Sequence, residues 1–209
     1  AARLHSRLRA AAGRAGLHAA GSLMLYEDLG PVLTMTCPAL LMRNTTDDPT
    51  WTSLIYHDHV SWFPGGAYPV AKLFREHYAE RRLASAGGAV RDVEDRKVFF
   101  QKIATIKPEE WQQGTVDAIA TASADGRRIV IKAVNYEGRR NTLLARLQGV
   151  RAPEKAAAQL HTITAGLTEK ASGERPDAIR MVSRPIEYMK DLAVELEPYT
   201  VAVLEIRAE

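Results

Sequence analysis

Thr115–Gly138 reads TVDAIATASADGRRIVIKAVNYEG, two β-like runs joined at Asp125-Gly126, and its reading decides the fold. Val116, Ala118, Ala120 and Ala122 alternate with Asp117, Ile119, Thr121 and Ser123. Such alternation gives a strand two different faces. The return run, Ile129–Val134, is β-branched and apolar except at Lys132. An Asp-Gly pair between two such runs predicts a hairpin, because tight primed turns require positive φ. The apolar return run predicts a strand covered on both faces, in the middle of a sandwich and away from its edges.

Outward from this hairpin, the second half of the chain is punctuated by turn formers and short apolar runs. Strands are expected over 97–105, 141–147, 157–164, 179–182, 192–196 and 200–206, with 165–177 as a surface loop. Several short strands of this kind predict an antiparallel β-sandwich. Ala84–Gly88 (ASAGG) marks a boundary by its small, flexible residues. The expected organisation is therefore 1–83, a linker over 84–96, and a sandwich over 97–209.

The first half has a different rhythm. Leu4, Leu8, Ala11, Ala12, Ala15, Ala19 and Leu23 recur at helical spacing and predict a helix over 3–28. Gly13, Gly16 and Gly21 weaken it by about 1 kcal/mol each relative to Ala, so it needs tertiary packing. Its small residues suit close approach to a sheet. Gly30-Pro31 stops it. Val32–Cys37 reads as a short buried strand, Asn44–Thr50 as a loop, Trp51–Val60 as a second strand and Tyr68–Tyr78 as a helix with Val70, Leu73, Phe74 and Tyr78 on one face. Strands alternating with helices predict α/β architecture with a parallel sheet. Two strands cannot bury both faces of such a sheet, so this half reads as the last part of a larger α/β domain.

The 209 residues carry a net charge of +3 and a single cysteine, Cys37. The small charge, with no aromatics interleaved among Arg127, Arg128, Arg139 and Arg140, gives no nucleic-acid surface. One cysteine permits no internal disulfide. No run reaches the length of a membrane-spanning helix. The first acidic residue is Glu27. An acid-poor, Arg-rich start has the composition of a transit peptide, but the preferred reading is a surface helix of a domain that begins earlier.

The residues that could carry chemistry cluster at Tyr56–Trp62, YHDHVSW. On a strand, His57 and His59 would share one side, and Tyr56, Asp58 and Val60 the other. Two histidines at this spacing lack an identifiable third metal ligand. Hydrogen-bonded strand-end polarity is one reading. The other is substrate contact: His57, Asp58 and His59 binding sugar hydroxyls and Trp62 packing on a ring, at the C-terminal strand ends that form barrel active sites. Cys37 reads as a buried small hydrophobe without an oriented base. Asp47 and Asp48, on the loop after the preceding strand, read as a turn. No cofactor or metal is expected.

The sandwich half resembles the C-terminal domain of family 51 α-L-arabinofuranosidases. Val116–Ala122, Asp125-Gly126, Ile129–Asn135 and Leu196–Leu204 carry the resemblance. The first half looks like the end of that family's (β/α)8 barrel, with strands near Met35–Cys37 and Leu54–Asp58 and a last helix at Tyr68–Phe74. This implies a retaining glycosidase using two glutamates about 5–5.5 Å apart. No glutamate here stands at a matching position, so the catalytic pair is expected outside this chain. A companion polypeptide or other subunit would complete the barrel. Where many members read Ala-Gln-Leu-Val-Asn, this chain has Ala39-Leu40-Leu41-Met42-Arg43, which replaces a polar contact residue with Leu40. Two alternatives keep the residues in other roles: a non-catalytic carbohydrate- or protein-binding sandwich, and the same fold acting on xylosides or β-glucans.

Overall fold

The computed structural model describes residues 13–30, 32–37, 41–45, 53–86, 116–148 and 155–207. Its centre is the predicted hairpin. Strand β5 (Val116–Ala122) pairs antiparallel with β6 (Arg128–Asn135), from Val116 opposite Asn135 to Ala122 opposite Ile129. The connection is longer than a two-residue primed turn. Ser123 C=O accepts from Gly126 N–H at 2.9 Å, and only Gly126, at φ 73°, enters the left-handed region. Asp125 instead braces the loop, accepting from Ser123 Oγ at 2.5 Å and Arg127 N–H at 3.0 Å. These local bonds are the usual work of an Asp in a turn.

Two more strands complete the core of the sheet. β11 (Thr200–Arg207) runs between β6 and β8 (Lys155–Thr164), antiparallel to both. β9 (Met181–Met189) borders β8, and β4 (Arg81–Arg82) borders β5. The result is a six-stranded antiparallel sheet, β4-β5-β6-β11-β8-β9. A two-stranded sheet of β7 (Asn141–Ala145) and β10 (Leu192–Leu196) packs on one face. The contact is apolar: Ala118, Ile131, Ala133, Leu160, Ala202 and Leu204 meet Leu143, Ala145, Val194 and Leu196. This is the expected sandwich. Asn135 closes its end. The Asn135 amide donates to Arg139, Leu196 and Glu197 carbonyls at 2.8–3.2 Å and accepts from Glu137 N–H and Asn141 Nδ2.

The other face of the same sheet is covered by helices, so β6 is buried from both sides by two different layers. Helix α1 (Gly13–Asp28) and helix α2 (Ala67–Glu76) lie side by side on it. Leu17, Ala20, Met24, Val70, Leu73 and Phe74 pack on Ile119, Val130, Val134, Val201 and Val203. For α2 the predicted face is the buried one, except Tyr78, which lies beyond the helix and is exposed. For α1 the buried face is Gly13, Gly16, Leu17, Ala20, Gly21 and Met24, while Ala15, Ala19 and Leu23 are only half-buried. The glycines that weaken the helix are its contact surface. A Cβ on Gly16 would stand 2.8 Å from Gly66 O.

This helix-covered face is also charged. Asp117, Thr121, Lys132, His161 and Glu205 are all buried on it. Lys132 Nζ bonds Glu27 Oε1, at the end of α1, and lies 4.8 Å from the Phe74 ring centroid. Burial lowers the Lys132 ammonium below the usual range and raises the Glu27 carboxyl, against the pull of each partner. Arg82 Nε bonds Asp28 Oδ1 at 2.6 Å beside them.

The first half also holds a small three-stranded sheet: β1 (Met42–Asn44), β2 (Ile55–His57) and β3 (Trp62–Pro64). β1 and β2 are parallel, and β2 and β3 antiparallel. Two expectations are corrected here. Residues 33–37 form no strand, and Val32, Met35 and Cys37 are exposed. The strand lies later, at Met42–Asn44, because that segment finds β2 to pair with, while 33–37 has no sheet neighbour among the described residues. The second strand is three residues long, ending at His57, since the chain turns there. The expected segment 3–12, the strand over 97–105, Asp47, Asp48 and most of the 84–96 linker lie outside the described residues.

Candidate functional site

The candidate site is the C-terminal end of β2 and the turn after it. The turn forms because Asp58 supplies its own acceptors. Asp58 Oδ1 accepts from Val60 N–H at 2.7 Å and Ser61 N–H at 2.6 Å, while Oδ2 accepts from Ser61 Oγ at 3.1 Å. Asp58 N–H donates to Ser61 O at 2.9 Å, and the chain returns as β3. The amides of Ser61 and Val60 hold the Asp58 carboxyl below the usual carboxylate range. Asp58 is therefore an anion committed largely to the turn.

The short strand re-sorts the predicted cluster. His57 is the last residue of β2 and half-buried. His59 sits in the turn, exposed, so it does not continue the His57 face of a strand as the spacing predicts. In exchange, the β-register sets three residues in one row across the sheet: Asn44, His57 and Trp62. Such neighbours project to the same face. The adjacent row, Arg43, Tyr56 and Phe63, projects to the other. There the Tyr56 and Phe63 rings stack at 5.8 Å, and Arg43 is buried.

Asn44 is the residue that sequence reasoning assigned to a loop. Only the strand pairing, which no local pattern encodes, brings it level with His57. Trp62 is 65% exposed, leaving its indole face open. Together the row offers an amide, an imidazole and an open indole, groups suited to hydroxyls and to the apolar face of a sugar ring. Among the described residues, no group of three or more His, Cys, Asp and Glu side chains converges to hold a metal.

The apolar surroundings are open on this side. Leu41 is 56% exposed, Met42 53% and Val60 96%. Parallel strands are normally buried on both faces, whereas beside the β1–β2 pair Leu41 and Met42 are uncovered among the described residues.

Comparison with solved structures identifies this fold. The chain superposes on the α-L-arabinofuranosidase of Thermotoga maritima in complex with arabinose, with a TM-score of 0.69 and 18% identity, over 92% of this chain and 38% of that one. The thermostable GH51 α-L-arabinofuranosidase of Thermotoga petrophila RKU-1 gives a TM-score of 0.70 at 16% identity, with the same coverage. The family 51 α-L-arabinofuranosidase of Bifidobacterium longum gives 0.56 at 17%, over 90% of this chain and 33% of that one. The chain thus has the fold of part of these enzymes and spans about 38% of the length of the first two. No protein-family model matches its sequence, and no curated protein matches it.

Proposed function

We propose that this chain is the end of the catalytic barrel and the C-terminal sandwich of a retaining α-L-arabinofuranosidase that removes terminal α-L-arabinofuranosyl groups from plant-type polysaccharides. The observation that carries the reading is the fold likeness running through both halves, with the Asn44–His57–Trp62 row at the end of the parallel strand pair. Strand C-termini are where barrel enzymes place their sites. In this reading β1 and β2 are the last two barrel strands. His57, Asp58, His59 and Trp62 form part of the sugar pocket's rim, and no cofactor takes part.

The chemistry belongs to two glutamates elsewhere. One protonates the leaving oxygen while the other attacks the anomeric carbon; water then cleaves the glycosyl-enzyme, with the first glutamate as base. Neither is supplied by this chain. A companion polypeptide or subunit carries the earlier barrel strands and covers Leu41 and Met42.

The test is reconstitution. The chain alone should not cleave an aryl α-L-arabinofuranoside, and adding a polypeptide with the missing barrel strands should restore cleavage with retention of configuration. In that complex, Trp62→Ala and His57→Ala should raise KM. Cleavage by the chain alone, or none by a stable complex, overturns the proposal. A glycan array on the chain alone reports the binding-module alternative directly.

A further inference from the structure

The segment between β8 and β9, residues 165–180, contains the expected surface loop over 165–177, but it is seated on the fold, with Ile179 buried near its end. Leu167 and Ala171 are buried. Its backbone accepts from the start of α1, with Gly13 N–H bonding Glu169 O at 3.1 Å and Arg14 N–H bonding Leu167 O at 3.4 Å. Its tip is a tight reversal in which Ser172 and Arg175 exchange backbone hydrogen bonds at 3.1 Å each way. That places Gly173 against the Asp58 turn. A Cβ on Gly173 would lie 2.7 Å from Ser61 Oγ, 3.7 Å from Ser61 Cβ and 3.9 Å from Asp58 Oδ2. Among the described glycines only Gly126 has positive φ, so Gly173 serves proximity and not backbone conformation.

We propose that the sandwich reaches into the sugar site through this loop, and that Gly173 is a positioning residue. It lets the tip brace the Asp58–Ser61 turn and so fixes His57 and Trp62 at either end of it. This rests on reading that turn as the rim of the sugar pocket. A methyl group at 173 must push Ser61 Oγ aside, which breaks the Ser61 Oγ to Asp58 Oδ2 bond and loosens the carboxylate that caps Val60 and Ser61.

The test has two readouts. In the chain itself, Gly173→Ala should speed amide exchange at Val60 and Ser61 by about fivefold, the effect of losing a hydrogen bond worth about 1 kcal/mol. Amides of β6 should be unchanged. Ser61→Ala removes the clashing oxygen, so adding Gly173→Ala on that background should change exchange at Val60 by less than about twofold. In the reconstituted enzyme, Gly173→Ala should raise KM with kcat little moved, since the glutamates are remote. Unchanged exchange at Val60 and Ser61 in Gly173→Ala, or an equal effect with and without Ser61 Oγ, overturns the contact. If the contact behaves as stated but the reconstituted wild type cleaves no arabinofuranoside, the sugar reading is what fails. A lower kcat at unchanged KM overturns the positioning role.

Discussion

Removing the Lys132 ammonium should destabilise the protein more than any surface substitution, and removing its partner as well should restore it. Lys132 has a fully buried side chain and Glu27 one that is 15% exposed. Breaking a buried pair at one end leaves an uncompensated charge and costs about 3–5 kcal/mol, whereas replacing both by apolar or neutral groups is often neutral or better. In Lys132→Met the stranded group is Glu27, whose second oxygen, Oε2, already has no hydrogen-bond partner. Arg82 is near but bonded to Asp28, so it does not substitute. For a chain of this size, each kcal/mol shifts Tm by about 2–4 °C, so Lys132→Met should lower Tm by roughly 6–20 °C. Glu27→Gln/Lys132→Met should return to within about 1 kcal/mol of wild type. The pH dependence has a definite sign. Burial raises the Glu27 carboxyl, and the lost ammonium is the main influence opposing this. A raised carboxyl contributes stability below its unfolded pKa and loses it as pH rises through the folded one. The penalty of Lys132→Met should therefore be greater at pH 8 than at pH 5. Thermal and urea unfolding of the three variants measures all of this. Equal stability of Lys132→Met and wild type, or a double variant as weak as the single, refutes the argument.

Acidification should weaken the wild type in two steps. Burial, then the neighbouring His77, lower His161, so its stabilising contribution is present above about pH 6.5 and lost as pH falls through that region. Burial raises Glu205, but bonds from His77 and Arg207 outweigh it and leave the carboxyl lowered, so its contribution is lost below about pH 4.3. Urea midpoints from pH 8 to 3.5 check both, with His161→Gln flattening the first step. Asn135→Leu should cost about 3 kcal/mol, because it strands several groups at the closed end of the sandwich, each worth about 1–3 kcal/mol; equilibrium unfolding reads it. Gly126→Ala should cost only the left-handed penalty of about 1–2 kcal/mol, since nothing lies within 4 Å of an added Cβ.

The hairpin was legible because alternation and a turn residue are local signals. Strands β10 and β11 and the buried face of α2 were legible for the same reason. What covers β6 was only half legible. The second sheet followed from its apolar run, and the small residues of α1 suited a sheet, but nothing local marked the face of Asp117, Lys132 and Glu205 as the one the helices cover. Their partners are distant in sequence: Glu27 is 105 positions from Lys132 and His77 128 from Glu205. The site followed the same rule. His57 and Trp62 of the proposed site were singled out by residue type, whereas Asn44 joins their row only through the β1–β2 register. The early strand was misplaced because Val32–Cys37 is more apolar than Met42–Asn44, while pairing chose the latter.

The position of β11 has a consequence for how the protein is made. A ribosome delivers β5, β6 and β8 before residues 200–207, yet β11 lies between β6 and β8 and satisfies one edge of each. Until it arrives, no strand joins the hairpin to the β8–β9 pair, and one edge of β6 and one edge of β8 stand open. Such nascent species are prone to self-association. The sheet is therefore completed last at its middle, and a chaperone that shields the β6 edge during synthesis would raise the yield of folded protein.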